Sequence, residues 1–97
     1  MSRTVVGVLR GGPSSEYEVS LKTGASILQA LSDEHYRPVD ILIDKQGRWH
    51  RMGRAVEPYR AVQDMDVVVN GLHGSYGEDG TVQRILDRFQ VPYTGPR

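Results

Sequence analysis

Thr4-Val5-Val6-Gly7-Val8-Leu9, closed by Gly11-Gly12-Pro13, is the stretch that decides the fold. It is β-branched and continuously apolar, the pattern of a strand buried on both faces. Working outward, Ser15-Glu16-Tyr17-Glu18 has the form of a capping box, so a helix is expected to begin there. Leu21, Ala25, Leu28 and Leu31 recur at spacings of four and three and predict an apolar stripe that packs on the sheet and ends near Ser32-Asp33. Pro38-Val39-Asp40-Ile41-Leu42-Ile43-Asp44 reads as a second strand, followed by a turn at Lys45-Gln46-Gly47-Arg48 and a short return at Trp49-His50-Arg51-Met52. Asp66-Val67-Val68-Val69-Asn70 reads as the third clear strand. A glycine-rich connection, Gly71-Leu72-His73-Gly74-Ser75-Tyr76-Gly77, then leads to a second helix. In that helix Val82, Ile85, Leu86 and Phe89 share one face, and Asp79 or Thr81 is the candidate cap. Val91-Pro92-Tyr93-Thr94-Gly95 reads as a brief last strand. Strands alternating with helices predict an α/β fold: a Rossmann-like parallel sheet flanked by helices on both faces.

Composition narrows the function. The 97 residues are expected to form a single domain, 1–97, since one core is all that this length supports. Twelve basic and twelve acidic side chains cancel, so no overall field draws the chain to nucleic acid or an anionic membrane. Lys45, Arg48, Arg51, Arg54 and Arg60 stand against Glu57 in residues 45–60. This local excess reads as a solvated peripheral hairpin and loop, because Trp49 and Tyr59 are too far apart for stacking on single strands. The apolar runs are far below the ~20 residues of a membrane span. The N-terminus lacks the basic region and long apolar stretch of a signal peptide, so a cytoplasmic protein is expected. With no cysteine there is no disulfide, thiol nucleophile or thiolate metal site. His35, His50 and His73 show no metal-ligand spacing, and no metal site is expected in the chain.

Ligands of open parallel sheets bind beyond the carboxyl ends of the strands, and two glycine-rich loops, residues 10–16 and 71–80, stand at such ends. Neither contains G-x-G-x-x-G or G-K-[ST], so a self-sufficient nucleotide site is not expected. Glu16 reads in two ways: as an acid that complements the helix dipole, or as a carboxylate that meets a cationic group such as a substrate ammonium. His73 reads either as an ordinary polar loop residue or as part of a ligand cleft. Spacing does not choose between these.

Gly11-Gly12-Pro13-Ser14-Ser15-Glu16-Tyr17-Glu18-Val19-Ser20-Leu21, His73-Gly74-Ser75-Tyr76-Gly77-Glu78-Asp79-Gly80-Thr81-Val82-Gln83 and Pro92-Tyr93-Thr94-Gly95 together resemble D-alanine:D-alanine ligases, in order and over essentially the whole chain. The resemblance implies the N-terminal, pre-ATP-grasp domain of such a ligase, with the two ATP-grasp domains that hold ATP and Mg²⁺ absent from this chain. It implies that the complete enzyme joins two D-alanines with ATP for peptidoglycan synthesis, through an acyl phosphate that the second amine attacks. On that reading Glu16 is the catalytic-site carboxylate that receives the first D-alanine's ammonium. Val19 and His73 border the same amino acid, and Gly11 and Gly12 let backbone approach it. The partners implied are D-alanine and the ATP-grasp domains, with a homodimer left open; the 97 residues alone are expected to be inactive. Tyr17, Arg10 and Ser75-Tyr76 depart from the commonest family pattern, which has histidine, an apolar residue and an initial arginine there, and they leave D-lactate or D-serine open as second substrate. The alternative is a non-catalytic binding or dimerisation module that keeps the ligase fold.

Overall fold

The computed structural model describes residues 3–31 and 33–95; the expected end of the first stripe at Ser32 lies outside them. Among the described residues, six strands form one sheet: β1 (Thr4–Gly11), β2 (Tyr36–Ile43), β3 (Trp49–Arg51), β4 (Arg54–Val56), β5 (Val67–Asn70) and β6 (Tyr93–Thr94). Three helices join them: α1 (Tyr17–Ala30), α2 (Pro58–Ala61) and α3 (Thr81–Arg88). The spatial order is β4-β3-β2-β1-β5-β6. β1 is central, running parallel to β2 from Thr4 opposite Tyr36 to Gly11 opposite Ile43, and parallel to β5 from Val6 opposite Val67 to Leu9 opposite Asn70. The three expected strands therefore lie side by side and parallel, and β6 extends the set beyond β5.

The sheet is mixed, with the expected parallel strands joined by a return after β2. β3 and β4 add an antiparallel hairpin at the β2 edge. Met52 and Gly53 both take positive φ, 51° and 86°, the backbone of a tight two-residue hairpin turn whose twist matches its strands. Such turns favour Asn-Gly or Asp-Gly, so Met52-Gly53 carries little sequence signal and the β4 return reads as loop. α2 is also absent from the sequence reading, although Pro58 at its first position suits a helix start.

α1 leads from β1 to β2 on one side, while α3 leads from β5 to β6 on the other. Right-handed crossovers put these helices on opposite faces. Alternation along the strands agrees. Leu9, Ile41, Ile43 and Val68 join Val82 and Leu86 of α3, with Ala61, Val62 and Trp49, in one buried cluster. Val6 and Val8 are buried outside that cluster, on the face shared with Arg10, whose stem runs against Gly24 of α1.

The helices depart from expectation in their buried faces and in their caps. The buried residues of α1 are Ser20 and Gly24, while Leu21, Leu28 and Leu31 are half-buried and Ala25 is exposed. Small residues let the helix axis approach the sheet, so the line of closest contact is the small-residue line, and the leucines flank it. In α3, Val82 and Leu86 are fully buried but Ile85 is only partly so. The Ser15–Glu18 capping box does not form either: the residue before α1 is Glu16, and no side chain caps that end. Ser14, two residues before Glu16, takes the amide of Glu16 on its hydroxyl at 3.1 Å. At α3 neither expected cap holds the cap position, which Gly80 takes with φ 95° and no side-chain cap bond; Asp79 Oδ1, one residue earlier, accepts from both the backbone N–H and the hydroxyl of Thr81, at 3.0 and 2.7 Å. Among the described residues no helix is long and apolar enough to cross a membrane.

Candidate functional site

β1 and β5 are neighbours whose following helices depart to opposite faces, so the sheet's topological switch point lies between their carboxyl ends. The two loops expected to carry chemistry meet there. The first leaves β1 through Gly11 and Gly12, with φ of 94° and 93°, a region that an L side chain adopts only at a cost. Both residues are buried and their amides are committed. Gly11 N–H donates to Ser20 Oγ at 2.9 Å, and Gly12 N–H donates to the Ile43 carbonyl at 2.6 Å. Ser20 in turn donates its hydroxyl proton to the Gly71 carbonyl at 2.8 Å. One buried hydroxyl thus pins α1 to both loops.

The second loop leaves β5 through Asn70. The Asn70 side-chain amide donates to the Gly77 carbonyl at 2.9 Å, and its oxygen accepts the Leu72 N–H at 3.1 Å. Gln83 of α3 donates to the same Gly77 carbonyl at 2.8 Å. Further out, Trp49 Nε1 donates to the Tyr76 hydroxyl at 2.9 Å, tying the loop to the edge hairpin. Burial raises the pKa of that phenol, against the smaller lowering effect of the Trp49 bond.

The two loops touch at this junction, where Glu16 lies against the backbone at Gly74, next to His73. Ser14 donates its hydroxyl to the His73 carbonyl at 2.8 Å, which draws the first loop against the second. Gly74 is close enough that a Cβ built on it would stand 3.2 Å from Glu16 Oε2 and 3.0 Å from Ser14 Oγ. The His73 ring is held on one side by Thr23 of α1, with Nε2 and Oγ1 2.8 Å apart and the donor set by the tautomer. Its Nδ1 is 3.8 Å from Glu78 Oε2. Glu16 is exposed at the start of α1, and Val19, in the first turn, is 52 % exposed. The structure therefore brings Glu16, His73, Gly11 and Gly12 to one place and leaves Val19 on the helix surface beside it. Sequence reasoning missed Ser14, Ser20, Thr23 and Asn70. The one available signal was the i, i+4 spacing of two small residues, Ser20 and Gly24, in a helix that also holds Thr23, Ala25, Ser26 and Ala30.

Two surface clefts lie elsewhere. One of 490 Å³ adjoins the edge hairpin at Trp49, Val56 and Pro58, and one of 260 Å³ lies by Met65 and Phe89. Neither is lined by Glu16 or His73. Among the described residues no group of three or more His, Asp or Glu side chains could hold a metal ion.

A six-stranded sheet with helices on both faces and a switch point between β1 and β5 defines a domain of the doubly wound α/β class. Comparison with known proteins narrows that class. The chain belongs to the N-terminal family of D-alanine–D-alanine ligases: the family model described as D-ala D-ala ligase N-terminus matches residues 5–61 and 52–96. It is 42 % identical over 90 residues to a D-alanine–D-alanine ligase of Solibacter usitatus, covering 93 % of this chain but 27 % of that protein. D-alanyl-alanine synthetase A of Vibrio cholerae superposes with a TM-score of 0.82 at 30 % identity, over 98 % of this chain and 32 % of that one. The D-alanine–D-alanine ligase of Bacillus anthracis, solved with ATP, superposes at 0.76 and 33 % identity, over 97 % of this chain and 28 % of that one. The chain thus spans about a quarter to a third of these relatives' length.

Proposed function

We propose that this chain is the part of a cytoplasmic ATP-dependent D-alanine:D-alanine ligase that receives the first D-alanine. The observation that carries the reading is the junction of Glu16 with the His73-Gly74 backbone at the switch point, where loops far apart in sequence converge. A carboxylate there accepts charge-assisted hydrogen bonds from an ammonium, which are stronger than neutral ones. His73, oriented by Thr23, walls the same crevice, and Val19 borders it from the helix surface. The positive-φ turn suits glycine at both positions: a Cβ at Gly12 would stand 3.4 Å from Leu72 of the second loop, and one at Gly11 would run into the Ile43 carbonyl of β2.

Glu16 is exposed on this chain, so enclosure of the substrate requires a further wall. That wall is the remainder of the ligase, in keeping with the chain's share of its relatives' length. ATP and Mg²⁺ belong to that remainder as well and supply activation of the substrate carboxylate. The contribution of the present residues is to bind and orient the amino acid, which lowers the entropic part of the barrier.

The test is Glu16→Gln in the full-length ligase, which keeps the shape and removes the charge. A hydrogen bond to a charged group contributes ~1.5 to 3 kcal/mol, so kcat/KM for the first D-alanine should fall by about one to two orders of magnitude. The thermal midpoint should move little, because one exposed acid at a helix start contributes only ~0.3 to 1 kcal/mol. Near-normal kinetics with a lowered midpoint would reduce Glu16 to a helix-terminal charge and defeat the reading.

A further inference from the structure

Arg10 stands one residue before the glycine turn, and its side chain lies on the sheet face that α1 covers. Its guanidinium grips Asp40 of β2 at two points, Nε donating to Oδ1 at 2.9 Å and Nη2 to Oδ2 at 2.8 Å. The third nitrogen, Nη1, donates to the Leu21 carbonyl of α1 at 3.2 Å. The stem passes directly beneath Gly24, where an added Cβ would come within 2.9 Å of Arg10 Cγ. Both charged side chains are largely shielded, at 22 % and 30 % exposure. A planar fork with all three nitrogens engaged is a rigid spacer, which a lysine or an apolar residue is not.

The spacer has a consequence for the crevice. Leu21 lies little more than one helical turn beyond Glu16, on the turn that Ser20 also pins. A tilt or slide of this part of α1 carries the Glu16 carboxylate with it. Resting on the substrate reading above, we propose that Arg10, through Asp40 and the Leu21 carbonyl, is a positioning residue that sets where Glu16 stands over the crevice and thereby the affinity for the substrate ammonium.

The experiment compares Arg10→Met, Arg10→Lys and Arg10→Met/Asp40→Asn in the full-length ligase, reading the KM for the first D-alanine, the KM for ATP, kcat and the thermal midpoint. Arg10→Met should raise the first KM about three- to tenfold and leave kcat and the KM for ATP within about twofold, with Arg10→Lys intermediate. Arg10→Met also strands the Asp40 carboxylate. The double variant removes that charge, so its midpoint should recover while its first KM stays raised. A first KM unchanged in Arg10→Met, or one that returns to normal together with the midpoint in the double variant, overturns the proposal and leaves Arg10 a structural ion pair. If Arg10→Met does not accumulate, Asp40→Asn carries the same reading, since it releases the fork from β2. Weakened first-site kinetics in Glu16→Gln beside normal kinetics in every Arg10 variant would reject this proposal alone. Failure of Glu16→Gln to affect first-site kinetics would remove the substrate reading and this proposal with it.

Discussion

Asp44 shows how one carboxylate organises a turn that composition marks only as basic. Its Oδ1 accepts the backbone N–H groups of Gln46 and Arg48, both at 2.9 Å, while Oδ2 lies 3.0 Å from His50 Nε2 and 3.3 Å from Arg48 Nε. The His50 bond is the largest cause of a pKa lowered to about 2, followed by the Arg48 amide. Asp79 is likewise held at about 2, first by the Thr81 hydroxyl. Each folded-state pKa lies below the ordinary 3.8, so the stabilisation is present above that value and lost as pH falls through about 2. The thermal midpoint should therefore stay level near neutrality and drop between about pH 4 and pH 2, with a shallower drop in Asp44→Asn. A midpoint equally steep in that variant would show that other carboxylates dominate. At this scale the sequence was partly legible. Glu16 and His73 could be singled out by their place after strands, but Ser20 and Thr23 could not. A hydroxyl inside a helix acquires its partners only when the helix docks.

The elements were legible where apolar content is continuous and obscure where contact depends on size. β1, β2 and β5 announce themselves as β-branched runs, because a strand covered on both faces has few polar positions to confuse the pattern, Arg10 and Asp40 among them. α1 misleads for the opposite reason. Its leucines mark a stripe, but the sheet selects Ser20 and Gly24 for close approach, and the helix interior accepts a glycine at a cost of ~1 kcal/mol because Arg10 occupies the space beneath it. A paired measurement separates the two kinds of leucine. Leu86→Ala in α3 removes a fully buried side chain and should cost ~2 to 5 kcal/mol. Leu28→Ala in α1 removes a half-buried one and should cost about 1 kcal/mol, some half of what full burial contributes. Equal losses in chemical denaturation would restore the leucine stripe as the docking face.

On the scale of the whole molecule, the sheet order places the candidate site at one end of the strands while the hairpin β3–β4 closes the far edge with the exposed, charged Arg54. Phosphoryl transfer depends on positioned phosphates and neutralising cations, and the proposed function assigns these to the part of the ligase beyond the 27 % that this chain covers of its Solibacter relative. On that proposal the isolated chain should neither hydrolyse ATP nor form D-alanyl-D-alanine. Dipeptide above a mock-purified control would contradict the division of labour proposed here. The bond from Trp49 Nε1 to the Tyr76 hydroxyl gives the molecule a built-in optical probe. Trp49 is the only tryptophan in the sequence, so all indole emission comes from a ring whose polar end rests on the loop that carries His73. Anything that shifts this loop, whether an occupied crevice or a neighbouring domain closing upon it, changes the surroundings of that ring and should alter its fluorescence. In Tyr76→Phe, which deletes the acceptor and keeps the ring, the spectrum should lose much of that response.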